Sequence, residues 1–185
     1  MKEKEIQNKL QSILGKNRYE HTLGVAYTAA AMAMNYDEDI DSAYLAGLLH
    51  DCAKGYTIER QMELCCKYGI AITDGMAQSP QIIHQSLGSV LANKVYQVED
   101  QRICDAIEVH TTGKPNMTLL DKIIFISDYI EPNRPMIEGL AKARKLAFHN
   151  IDQCMVHILK STIDYLKQSG KSLDSSTVET YNYYK

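Results

Sequence analysis

Apolar residues recur every three or four positions along almost the whole chain, the spacing that lines one face of an α-helix. Ile6, Leu10, Ile13 and Leu14 form the first stripe, and Gly15 follows in the position where a glycine commonly ends a helix. Asn17 is a capping residue for a second helix running through Ala26 and Ala30 to about Met34. A third helix is expected from near Asp41 to His50 and Asp51, and a fourth from near Thr57 to Gly69. Ser79-Pro80 reads as a helix start, a capping side chain followed by proline at the first helical position. That helix carries His84, Leu87, Val90, Leu91 and Val95.

The next helix is expected from Asp100 to His110, where TTGKP breaks it, and another from Thr118 to about Glu131, closed by Pro132. Residues 136–148 and 150–169 supply a last long pair, and the tail KSLDSSTVETYNYYK holds one more turn or two. No alternating run of β-branched residues argues for a sheet, and no repeat or linker splits the chain. The pattern predicts an all-α fold in a single domain spanning residues 1–185.

Composition narrows the function classes. Hydrophobic residues make up 45% of the chain, enough for a real core, and the net charge is −3 with a pI of about 6.1. A phosphate-neutralising surface for nucleic acid is therefore not expected, whereas a few local cations can still serve one cleft for a small anion. The opening MKEKEIQNKL has no apolar core of a signal peptide, and no apolar run suits a membrane crossing. The five cysteines, Cys52, Cys65, Cys66, Cys104 and Cys154, show no C-x-x-C spacing, which favours reduced thiols in a cytoplasmic protein.

Candidate chemistry begins at residues 45–54, LAGLLHDCAK, where an apolar segment ends by setting His50, Asp51 and Lys54 side by side. Adjacent helical residues point about 100° apart, so only at a helix end bordering a cleft do His50 and Asp51 approach one ion from neighbouring directions. Further ligands must come from elsewhere: His21 in NRYEHTLGVA, and Asp128 in KIIFISDYIEP, an apolar helix where an unpaired carboxylate is costly to bury. A pairing of Asp128 with Lys122 is the bland alternative. Two imidazoles and two carboxylates without thiolate suit iron, manganese, cobalt or zinc better than magnesium or calcium. His84, His110 and Arg134 add polar groups at comparable positions.

This ordered set resembles the HD superfamily of metal-dependent phosphohydrolases, and within it the YqeK-like symmetrical diadenosine tetraphosphate hydrolases of bacteria. The resembling stretches are RYEHTLGVA, LAGLLHDCAKGY, IIHQSLGSVLA, AIEVHTTGKPNMTLLDKIIFISDYIEPNR and TVETYNYY, which together run through nearly the whole chain. The resemblance implies an all-α fold and a bound iron or related divalent metal, one ion expected and two allowed, with His21, His50, Asp51 and Asp128 as ligands. It places Arg18, Lys54, His84, His110, Thr111 and Arg134 toward the nucleotide phosphates, with Thr112, Lys114 and Lys171 to Ser175 as further nucleotide contacts. The implied reaction splits a dinucleoside tetraphosphate into two ADP. Arg18, Lys54 and Arg134 offset phosphate charge, and His84 or His110 transfers a proton.

Other histidines and thiols carry blander readings. His149 and His157 match no motif and read as structural or exposed, Cys65 and Cys66 as buried or half-buried thiols, and Met32 and Met34 as core packing. GKPN at 113–116 lacks the frame of a phosphate loop, and no G-x-G-x-x-G or G-x-S-x-G signature is present. Two competing functions stand beside the symmetrical hydrolase: an HD phosphohydrolase acting on another nucleotide, and a non-catalytic nucleotide sensor. Oligomeric state is left open, a homodimer included.

Overall fold

The computed structural model describes all residues from 1 to 185 and contains eleven α-helices, one 3₁₀ turn and no strand, so the all-α expectation holds. The helices are α1 (Glu3–Ile13), α2 (Lys16–Tyr36), α3 (Ile40–Leu49), α4 (Ile58–Tyr68), α5 (Asp74–Gln78), α6 (Ile83–Lys94), α7 (Gln101–Val109), α8 (Leu119–Ile130), α9 (Leu140–Leu146), α10 (Ile151–Gln168) and α11 (Ser175–Tyr184). No helix is long and apolar enough to cross a membrane.

Most starts follow from local chemistry. Asp39, Thr57, Asp100, Thr118, Asn150 and Asp174 each accept a hydrogen bond from a backbone N–H of the first turn they precede. Thr118 and Asp121 reciprocate, the Thr118 N–H donating back to Asp121 Oδ2 at 3.0 Å. Gly69 ends α4 in the left-handed region, φ +70°, with its N–H on the Cys65 and Cys66 carbonyls.

Helices α2, α3, α6, α7 and α8 pack around one continuous cluster of 42 buried apolar residues. Helices α2 and α3 share the most extensive contact, and Ala26, Ala29, Ala43, Ala46 and Gly47 on these two helices are all buried. A Cβ on Gly47 would lie 2.9 Å from Ala26 Cα, so glycine sets how near the two axes come. Helix α10 lies on α8, α9 and α11 and closes one side of the bundle.

Several local expectations are corrected. Gly15 has φ −62° and ψ 154°, extended rather than left-handed, and serves as the start of α2. With only Leu14 and Gly15 between α1 and α2, no left-handed reversal is needed; Asn17 lies exposed in the first turn of α2 instead of capping it. Ser79 does not cap: it ends α5, a short helix the periodicity missed, and its buried hydroxyl has no partner. Pro80 opens a 3₁₀ turn, Pro80–Ile82, before α6 begins. Residues 136–139 are not helical, so the expected 136–148 segment shrinks to α9, while the tail forms a ten-residue helix. Met34 is 62% exposed although Met32 is core, and Cys66 is exposed beside a buried Cys65.

Candidate active site

Five helix ends converge on one point. The first turns of α2 bring Arg18 and His21; His50 follows the last residue of α3, and Asp51 the next; His84 stands in the first turn of α6; His110 follows the last residue of α7; Asp128 stands in the last turn of α8. The imidazoles form a chain of edge-on rings, with centroid separations of 5.3 Å for His21–His50, 5.1 Å for His50–His110 and 4.9 Å for His84–His110.

Each ring is aimed by its Nδ1. The Nδ1 of His50 lies 2.7 Å from the Gly47 carbonyl, that of His84 2.6 Å from the Gln81 carbonyl, and that of His110 2.7 Å from the Ile107 carbonyl. The His21 Nδ1 is 3.0 Å from Glu131 Oε1. Carbonyl oxygens only accept, so in His50, His84 and His110 Nδ1 carries the proton and Nε2 presents its lone pair inward. His50 and His110 thereby also satisfy carbonyls left open at the ends of their own helices.

The carboxylates meet those lone pairs. Asp51 Oδ2 lies 3.5 Å from His50 Nε2 and 3.8 Å from His21 Nε2, while Asp51 Oδ1 lies 3.4 Å from His84 Nε2 and 3.7 Å from His110 Nε2. Asp128 Oδ1 is 3.1 Å from His21 Nε2 and 3.8 Å from His50 Nε2. The Nε2 atoms of His21 and His50 are buried and have no hydrogen-bond partner. A buried imidazole lone pair facing carboxylate oxygens is unfavourable unless a cation sits between them. Three overlapping donor sets lie within 4.8 Å: His21, His50 and Asp51; His50, His110 and Asp128; Asp51, His84 and His110. The donors therefore fit a divalent metal, and Asp51 offers one oxygen to each half of the cluster.

Electrostatics agree with the geometry. Burial alone would raise the Asp51 carboxyl, but His50, His110 and His84 outweigh it and hold it well below its ordinary 3.8. Burial opposes ionisation of Asp128 likewise, and His21, His50 and Arg134 override it, so this carboxyl too stays ionised. Burial pulls His21 down, yet the Asp128 and Glu131 carboxylates leave it raised. His84 falls well below its ordinary 6.5 through burial, with His110 and Lys54 adding to the effect.

Cations flank this anionic centre. Arg18 Nη1 donates to Asp51 Oδ2 at 2.8 Å, and Arg134 Nη2 donates to Asp128 Oδ1 at 2.6 Å. Lys54 is half-buried, and Thr111 Oγ1 is 3.1 Å from His84 Nε2. Asp128 does not pair with Lys122, which bonds Asp152 at 2.7 Å. All ten candidate residues are thus drawn to one end of the bundle.

The outer candidates Thr112, Lys114 and Lys171 are each engaged with another group of the protein. Buried Thr112 accepts from Gln85 Nε2 at 3.1 Å and donates to the Gly113 carbonyl, so its hydroxyl is committed to the loop. Lys114 lies 3.3 Å from buried Asp121, and Lys171 donates to Tyr165 Oη at 2.9 Å. His149 is exposed, and His157 Nε2 donates to the Gly139 carbonyl at 2.9 Å.

Two contributors escaped the sequence reading. Glu131, 1% exposed, holds His21 through Oε1 and accepts from the Asn133 N–H through Oε2 at 2.6 Å. Gln85 receives the Thr111 and Thr112 N–H groups on Oε1 at 3.1 and 3.3 Å and so fixes the loop after His110. For Glu131 a signal exists, a second carboxylate at the end of the same apolar helix as Asp128; for Gln85 none does.

The sequence of residues 18–133 matches the family model of the HD domain, an interval that begins with Arg18 and runs past Asp128 and Glu131. The chain belongs to the HD domain family. This HD chain is 35% identical over 169 residues to the symmetrical bis(5'-nucleosyl)-tetraphosphatase of Halalkalibacterium halodurans, covering 91% of this chain and 89% of that one. It is 34% identical over 170 residues to the protein of the same name from Bacillus subtilis, covering 92% and 90%. Its fold matches a crystal structure from Clostridium acetobutylicum, described as a predicted HD superfamily hydrolase involved in NAD metabolism, with TM-score 0.96 and 38% identity over 100% of this chain and 97% of that one.

Proposed function

We propose that this HD protein is a divalent-metal-dependent phosphohydrolase that cuts diadenosine tetraphosphate at its central bridge to give two ADP. The observation that carries the reading is the convergence of four imidazole Nε2 atoms and two carboxylates between Arg18, Lys54 and Arg134. The names of relatives that match nearly end to end support the substrate class.

His21, His50, Asp51 and Asp128 would hold the ion, with iron expected first and manganese, cobalt or zinc able to use the same donors. A second ion between His84 and His110 would share Asp51. The metal, when bound, supplies Lewis acidity toward a phosphoryl oxygen and makes water nucleophilic near neutral pH.

The chain's own residues do the rest. Arg18, Lys54 and Arg134 neutralise phosphate charge and orient the bridge for attack from one side. His84, kept neutral by its surroundings, offers Nε2 as a proton acceptor, with Thr111 Oγ1 and His110 Nε2 within 3.1 Å. The oxygen of water bonds to phosphorus as the bridging P–O bond breaks, and a proton reaches the departing ADP. Five unpaired cysteines fit a reducing compartment, so the cytoplasm is the expected location.

The test is reconstitution with ferrous iron under reducing conditions, with manganese, cobalt and zinc in parallel, followed by ion-exchange separation of the products from diadenosine tetraphosphate. Two ADP are expected. ATP plus AMP would overturn central cleavage, and retained ligand without turnover in any metal would make the protein a nucleotide sensor.

A further inference from the structure

Glycine is a poor residue for the middle of a helix, where its backbone freedom is lost and no side chain is gained to pack. Gly24 nevertheless lies in the interior of α2, three residues beyond His21. A left-handed backbone does not explain it, because the glycines with positive φ are Gly69, Gly113, Gly139 and Gly170. Nor does a helix crossing of the Gly47 kind, because what faces Gly24 is a carboxylate. A Cβ there would lie 2.5 Å from Glu131 Oε2, 3.3 Å from Glu131 Cδ and 3.4 Å from Asn133 Nδ2. We propose that Gly24 is a positioning residue of the metal centre: its bare Cα is the seat of the Glu131 carboxylate, and through that carboxylate it sets the bearing of His21. The proposal rests on reading the donor cluster as a divalent-metal centre.

The end of a glutamate side chain ordinarily yields to a methyl group by turning aside. Glu131 is buried, and both of its oxygens are in use. Oε1 lies 3.0 Å from His21 Nδ1, and Oε2 accepts from the Asn133 N–H at 2.6 Å. The main chain around it is fixed as well, the Glu131 N–H donating to the Ser127 carbonyl and the Arg134 N–H to the Glu131 carbonyl, each at 3.1 Å. The oxygen that a Cβ would strike is Oε2. A carboxylate is planar and rigid, so displacing Oε2 carries Oε1 with it and breaks the contact with His21.

Residues three apart on a helix share one face, so the Glu131 carboxylate spans from the backbone of Gly24 to the ring of His21. With Oε1 in place the His21 Nδ1 donates to it, and Nε2 keeps its lone pair for the cluster, 3.1 Å from Asp128 Oδ1 and 3.8 Å from Asp51 Oδ2. The Nδ1 atoms of His50, His84 and His110 rest on main-chain carbonyls instead. A side chain at position 24 therefore disturbs one ligand and leaves the other rings aimed as before.

The test uses Gly24→Ala, Glu131→Ala and the two together, each titrated with zinc alone and with ferrous iron alone in competition with a chromophoric chelator. Gly24→Ala is expected to weaken metal binding about 10–100-fold, the range for losing a partner that orients a ligand, although it adds one methyl group and removes no polar atom. In the Glu131→Ala background the same methyl meets no carboxylate, so the double variant should bind metal as Glu131→Ala does. Its metal-free melting temperature should not fall below that of Glu131→Ala, alanine being the better helix former. Wild-type affinity in Gly24→Ala, or a second full loss of affinity in the double variant, overturns the proposal. Should Gly24→Ala fail to fold, the double variant is expected to regain the fold, and its failure to do so overturns the proposal equally. A wild-type protein that binds neither metal would fail the metal reading instead, and is told apart by the absence of any affinity to lose.

Discussion

Arg134 holds Asp128 twice, Nε donating to its carbonyl at 2.9 Å and Nη2 to its carboxylate at 2.6 Å. A planar guanidinium makes this double contact and an ammonium does not. Arg134→Lys is therefore expected to lower kcat/KM by about 10², the usual scale for one charge-stabilising donor in a site. Bound metal should fall less than activity. Normal kinetics in that variant would remove Arg134 from the phosphate cleft.

Glu131 reaches the donor cluster through His21, whose Nδ1 lies 3.0 Å from its Oε1. In Glu131→Ala the His21 ring loses its aim, and metal affinity should drop by about 10–100-fold, the range for partners that orient a ligand. Glu131→Gln keeps an acceptor oxygen and should lose less. Chelator competition with a chromophoric indicator measures both; equal affinity in all three proteins would contradict the role.

Removing the metal should also soften the fold. The lone pairs and carboxylates face one another across the cluster, so an ion that binds only the native chain stabilises it by about 2.7 kcal/mol at a hundredfold excess over Kd. Melting temperature should fall on chelation and climb again with added divalent ion. A melt indifferent to metal would show that the donors do not bind one.

In the metal-free protein, stability should depend on pH through His84. Its folded pKa lies well below the ordinary 6.5, so below 6.5 the unfolded chain binds more protons and stability is lost as pH falls. His21 has the opposite sign: its raised pKa contributes stability that is full below 6.5 and fades as pH rises through the folded value. Asp51 and Asp128 contribute above 3.8 and matter only in stronger acid. His84→Gln should flatten the decline in melting temperature from about pH 7 to about pH 5. An unchanged slope would assign the decline to other groups.

Away from the site, Gly47→Ala should push α2 from α3, because the new Cβ falls 2.9 Å from Ala26 Cα in a close-packed seam. The expected cost is about 1–3 kcal/mol, typical of overpacking, read as a lower denaturant midpoint. A midpoint at the wild-type value would mean that the seam is looser than its contacts indicate.

The helical periodicity was legible because almost every element buries one face in a shared core. Boundaries failed where the deciding factor was tertiary: Gly15 is a connector because α2 starts at once, and Ser79 is used up by α5, too short to show a period. Metal-type donors such as His50 and Asp51 stand out in sequence because polar groups in apolar helices demand explanation. Gln85 does not, since its value comes wholly from the two N–H groups that α7 delivers to it.

Three of the four rings take their orientation from the residue three places earlier in their own chain: Gly47 for His50, Gln81 for His84, Ile107 for His110. His50 and His110 are anchored by carbonyls of the helices they follow and His84 by the 3₁₀ turn that leads into α6, so none of these bearings depends on the side chain of the anchoring residue. Substitutions at exposed Gln81 that keep the backbone therefore leave the bearing of His84 unchanged, whereas His21, steered by the distant Glu131, binds the fate of α2 to the end of α8. The centre is built from three self-sufficient modules and one bolt, and the bolt is where inherited change should be least tolerated.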